Sequence, residues 1–184
     1  MDIDFDVNEV LRRRLAESLG LDYYARIMNS VNATNVATDR GFQKTFNAFY
    51  LVRRNETWRN IYYDLFEKLK YESADFEYII RYLFEKTGNI EASFSSKMLA
   101  TLCPDQPIWD HYVVENLGLK LTGRSKEDQL NNAVTLYREI ECWYQAFLRT
   151  EKAAECIEVF DRALPDYQWI NSIKKIDCFL WSIR

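Results

Sequence analysis

The sequence predicts an all-α protein: a single compact domain of about nine or ten helices over residues 1–184, with sub-parts at 1–88 and 89–184. Three observations predict it. Only five Gly and three Pro occur in 184 residues, too few turn formers for the many reversals of a β-sandwich or barrel. Apolar side chains recur at helical spacing along nearly the whole chain. Hydrophobic residues make up 48% and charged residues 28%, so a real core can form and disorder is excluded.

Taken in chain order, Asp2, Asp4, Asp6 and Glu9 lead into a first helix at 7–18, which Gly20 stops. Helices at 21–31 and 38–53 follow. Trp58, Ile61, Tyr62, Leu65, Phe66 and Leu69 form one apolar stripe and predict a helix over 56–71. Ser73 is placed to cap the next, whose stripe of Phe76, Ile79, Ile80, Leu83 and Phe84 covers 74–86 before Gly88 ends it. A helix at 91–102 is rich in small residues, and one at 108–117 follows the prolines and stops at Gly118. Ser125 with Glu127 and Asp128 opens a long helix at 126–149, placing acids at its positive end. Ala153, Cys156, Ile157 and Phe160 stripe a helix at 151–163. The last, at 169–182, docks through Ile173, Ile176, Leu180 and Trp181 and is expected to be structurally required.

Composition excludes several functions. Net charge is −4, which argues against a general nucleic-acid coat protein but leaves room for a local basic face. The glycines are scattered singly, so there is no phosphate-cradling loop. Cys103, Cys142, Cys156 and Cys178 form no C-x-x-C pair, and His111 is the one histidine. No metal site and no cofactor are therefore expected, and the thiols read as buried, reduced and structural. No apolar run approaches the about 18 residues of a membrane span, and the acidic N-terminus has no charged-then-apolar leader. The expectation is a cytoplasmic protein with no membrane partner.

The best-defined local feature runs from Ala92 to Val113. Ala92, Ser93, Ser95, Ser96 and Ala100 are small and let a backbone or ligand come close. Pro104 and Pro107 then force an extended turn, and Asp110 is placed to cap the helix that opens at Tyr112. A carboxylate so placed stays ionised and points in a fixed direction. Either it is only a cap, or Asp110 beside Trp109 is a catalytic or ligand-binding group.

The run Ile108-Trp109-Asp110-His111-Tyr112-Val113 resembles the segment of helix-hairpin-helix DNA glycosylases in which a proline-containing turn leads to an aspartate that opens the next helix as D-x-x-V. The resemblance covers residues 88–117. It implies an all-helical fold that binds double-stranded DNA, with an activity, if any, of an N-glycosylase-like hydrolase. It makes Asp110 the catalytic carboxylate. Trp109 and Tyr112 would stack an extruded base, with Ser95, Ser96 and Lys97 beside it on the preceding helix. The matching hairpin, Thr87-Gly88-Asn89-Ile90-Glu91, holds one glycine where the family is glycine-rich. The lysine of its bifunctional members is replaced by Ala92, so the likeness implies a monofunctional or inactive relative.

Basic side chains occur as Arg12-Arg13-Arg14, Arg40 with Lys44, Arg53-Arg54 with Arg59, Lys120 with Arg124 and Lys126, and Lys174-Lys175. Lys120, Arg124 and Lys126 form the most basic loop and are the candidate phosphate contacts. Twelve Tyr, eleven Phe and five Trp exceed what a small helical core needs. Tyr23-Tyr24 and Tyr62-Tyr63 are adjacent, and the two members of such a pair cannot both face inward on one helix. Some tyrosines should therefore line a groove or interface. The alternative function is thus a non-catalytic helical interaction module with a tyrosine-rich groove, binding a protein partner or a second copy of itself.

Overall fold

The structure, a computed structural model, describes residues 5–17, 20–73 and 75–183. The fold class is all-α. Ten α-helices are present among the described residues: α1 (Val7–Glu17), α2 (Leu21–Ser30), α3 (Arg40–Phe49), α4 (Glu56–Leu69), α5 (Phe76–Thr87), α6 (Ala92–Leu102), α7 (His111–Asn116), α8 (Lys126–Phe147), α9 (Glu151–Ala163) and α10 (Ser172–Leu180). A short 3-10 turn, Pro165–Tyr167, joins α9 to α10, and no described residue is in a strand. Asp2, Asp4 and the side chains of Arg13 and Arg14 lie outside the described residues.

Helix starts are set by side-chain caps. Asp39, Asn55, Asp75, Asp110, Ser125, Thr150 and Asn171 each accept a backbone N–H of the turn they open. Ser125 and Asp128 form a reciprocal capping box. The cap of α5 is Asp75, not Ser73: its carboxylate accepts the Tyr78 amide at 2.8 Å. Three helices are shorter than their hydrophobic pattern suggests; α10, expected over 169–182, begins only after its Asn171 cap and closes at Leu180. α3 begins only after its Asp39 cap and closes at Phe49. α7 begins only at His111, because Pro107 and the Asp110 cap hold residues 107–110 extended.

The described chain falls into two compact units, Gly20–Cys103 and a second formed by α1 with everything from Pro104 onward. Gly88 is a turn inside the first unit, because α5 and α6 pack on each other. α1 belongs with the C-terminal helices because it packs on α9 and α10.

The core of the α2–α6 unit is aromatic. The Phe46 ring meets Tyr62, Tyr63 and Phe66 at 6.0, 5.9 and 5.6 Å between centroids. Tyr62 and Tyr63 are both buried, against the expectation that such a pair cannot both face inward. The reason is that α4 is covered on two sides. The Tyr62 hydroxyl donates to the Phe94 carbonyl of α6 at 3.0 Å, and that of Tyr63 donates to Asn47 Oδ1 of α3 at 2.7 Å. Burial pushes both phenols far above their usual range.

In the other unit α9 and α10 pack on each other and on α1, and α8 buries Leu130, Tyr137, Ile140 and Tyr144. Phe5 lies against Phe179 at 6.2 Å. The Lys174-Lys175 pair is engaged internally. Lys175 is buried, 2.5 Å from Asp161 and donating to the Gln168 carbonyl at 3.0 Å; Lys174 lies 2.5 Å from Asp177. The cysteines divide: Cys156 and Cys178 are buried as expected, whereas Cys103 and Cys142 are exposed, because each falls off the apolar face of its segment.

Candidate functional site

The turn carrying Asp110 is clamped from two helices. The Tyr137 hydroxyl of α8 donates to the Pro107 carbonyl at 2.8 Å, and Asn171 at the start of α10 donates to the Pro104 carbonyl at 2.5 Å. Ile108 and Trp109 fill the core beneath it. The Asp110 carboxylate then accepts the Tyr112 amide at 3.0 Å. A fixed backbone and an N-cap together hold one carboxylate in one direction.

In the same unit the buried Tyr144 hydroxyl donates to Asp177 Oδ1 at 3.3 Å. Burial pushes the Tyr144 phenol far above its usual range, and the charges of Asp177 and, more weakly, Asp110 add to this. The Tyr144–Asp177 pair is a polar group inside an apolar core. Lys174 neutralises Asp177. Sequence reasoning places Tyr144 on the apolar stripe of its helix and gives Asp177 no role; an Asp on the apolar face of the last helix was the available signal.

Several named residues are placed otherwise than a binding surface needs. Trp109 is 8% exposed, so its ring must leave the core to stack on a base. Tyr112 is half-buried, and the exposed His111 sits 3.5 Å from Glu115. Ser95, Ser96 and Lys97 belong to the α2–α6 unit, whereas Trp109, Asp110 and Tyr112 belong to the other. Ser95 is buried with its hydroxyl unbonded among the described residues, and Ser96 donates to the Ser93 carbonyl at 2.9 Å. Lys97 lies over the Phe94 ring at 5.2 Å.

Lys120, Arg124 and Lys126 are all exposed. Their loop is pinned to α8: the Thr122 amide donates to Asn132 Oδ1 at 2.8 Å, and Gln129 donates to the Gly123 carbonyl at 3.3 Å. Gly123 has φ 152°, and a Cβ there would fall 2.5 Å from the Gln129 amide nitrogen. Among the described residues no group of three or more His, Cys, Asp and Glu is placed to hold a metal ion, and no helix is long and apolar enough to cross a membrane.

The α4–α5 hairpin presents a different kind of surface. Tyr71 is 80% exposed and Tyr78 42%. Tyr78 stacks on Tyr82, one turn along α5, at 6.5 Å, and Lys86 lies over Tyr82 at 5.7 Å. Glu77 and Arg81 pair at 2.9 Å on the same helix. Comparison with protein-family models, curated proteins and solved structures returns no match.

Proposed function

We propose that this protein is a non-catalytic helical interaction module whose contact surface is the tyrosine face of the α4–α5 hairpin. The observation that carries this reading is the exposed pair Tyr71 and Tyr78, with the half-buried Tyr82 already stacked on Tyr78. Such rings lose little conformational freedom on binding and bring a hydroxyl to an otherwise apolar contact. The charges beside them are paired before any partner arrives, so less ordering remains to be done. Sedimentation velocity over a concentration series tests self-association, and crosslinking in cell extract tests a foreign partner. Tyr78→Ala combined with Tyr82→Ala is expected to abolish whichever complex forms. A chain that stays monomeric and uncrosslinked, or complexes that survive both substitutions, would sink the reading.

A second reading is favoured by one observation, the Asp110 carboxylate held on a clamped turn and fixed by the Tyr112 amide. It makes the protein a DNA-binding relative of the helix-hairpin-helix glycosylases, with Lys120, Arg124 and Lys126 on phosphates. It requires salt-sensitive preference for a duplex bearing a charged abasic-site analogue over the plain duplex. That preference must disappear in Asp110→Asn. Equal or absent binding to the two duplexes removes it.

A further inference from the structure

The turn between α3 and α4 ends in a Schellman closure: the Val52 amide donates to the Asn47 carbonyl at 3.0 Å. This closure requires a left-handed backbone at Leu51, whose φ is 54°. α7 closes in the same way through Gly118 at φ 62°, with the Leu119 amide on the Val114 carbonyl at 2.9 Å. Glycine meets no Cβ penalty in that conformation, and leucine does. Leu51 is also 60% exposed. Neither burial nor backbone preference accounts for it, and a fixed turn holds it outward.

Cations stand around this leucine. Lys97 Nζ lies 3.5 Å from the Tyr50 carbonyl oxygen, in the peptide unit that joins Tyr50 to Leu51. Lys97 and Arg54 both lie over the Phe94 ring, 5.2 and 5.4 Å from its centroid. Arg54 is aimed by the buried Glu91, 2.8 Å away. Arg53 is exposed, with no ion-pair partner among the described residues.

We propose that this turn is a docking surface for an acidic peptide segment carrying aliphatic side chains among its carboxylates. Such a segment complements both parts of the surface, carboxylates against Arg53 and the solvent-facing part of Arg54, and an aliphatic group against Leu51. A single-stranded nucleic acid would offer phosphates and bases, but the Phe94 ring already carries Arg54, Lys97 and the edge of Trp58 at 5.0 Å. An inorganic anion has nothing to place on Leu51. The surface is separate from Tyr71, Tyr78 and Tyr82, and its proposal does not depend on theirs.

The test is fluorescence anisotropy of a labelled peptide of alternating Asp and Leu, titrated with the full chain. Saturable binding is expected. Arg53→Glu should weaken it at least about tenfold by charge reversal. Leu51→Gly should weaken it about fivefold while raising the thermal midpoint, since glycine fits the turn. Tyr78→Ala should leave it unchanged, so this surface and the tyrosine face fail independently. The proposal is overturned by no saturable binding, by equal binding of an Asn–Leu or Lys–Leu peptide, by tighter binding of a single-stranded oligonucleotide, or by full affinity in both Leu51→Gly and Arg53→Glu.

Discussion

Arg54 and Glu91 are 2.8 Å apart across the α2–α6 unit, the arginine partly in solvent and the carboxylate 3% exposed. The second carboxylate oxygen accepts the Trp58 indole N–H at 3.0 Å. One buried anion thus ties the turn after α3, the start of α4 and the start of α6. Glu91→Ala leaves an indole donor and a guanidinium without their partner. A loss of roughly 1–3 kcal/mol is expected, at the lower end of buried pairs because Arg54 can turn to water. Glu91→Gln keeps the indole bond and should cost less. Urea unfolding followed by tryptophan fluorescence separates them, and equal midpoints for the two variants would contradict this assignment.

Leu51 and Gly118 occupy the same position in two helix closures and should respond oppositely to substitution. Leu51→Gly removes the left-handed penalty and gives up little burial. After the extra chain entropy of glycine, a gain of about 0.5 kcal/mol is expected. Gly118→Ala imposes the penalty and should cost about 1 kcal/mol. Thermal melts of the two variants check both signs.

Asp110 can be tested as a cap apart from any other role. Asp110→Ala should destabilise by about 0.5–2 kcal/mol, whereas Asp110→Asn, which still caps well, should be close to neutral. A change in duplex binding by Asp110→Asn at unchanged stability would then report on function alone.

Acid should loosen α3 through its cap. The Thr34 hydroxyl, donating at 2.5 Å, and then the Phe42 amide hold the Asp39 carboxyl below its ordinary value. A carboxyl depressed in the folded state contributes stability at neutral pH and loses it as pH falls through the folded-state value. Stability measured from pH about 6 downward should fall less steeply in Asp39→Asn than in the native chain. Parallel curves would show that Asp39 carries none of the acid sensitivity.

Thiol reactivity should split the four cysteines in half. Cys103 and Cys142 are exposed, while Cys156 and Cys178 are buried. Burial pushes the Cys156 thiol up to about 12, so the reactive thiolate is scarce at neutral pH. A chromogenic disulfide reagent should titrate two thiols in the native protein and four in denaturant. Mass spectrometry should place the native labels on Cys103 and Cys142.

The helices were legible in the local pattern of the chain, because amphipathic spacing and caps act over a few residues. The stripe from Trp58 to Leu69 became α4, Ser125 with Asp128 became a capping box, and Asp110 became the cap of α7. Which polar groups are left to meet solvent was set by packing between helices. Tyr62 and Tyr63 are both inside because two other helices cover α4, which no spacing on α4 reveals. Lys175 is buried because Asp161 and the Gln168 carbonyl come to meet it from α9 and the turn after it. Leu51 is outside because the closure of α3 places it there, against the preference of its own side chain. Local pattern reports what a residue prefers; burial and ion pairing depend on neighbours distant in sequence, and only the packed chain supplies them.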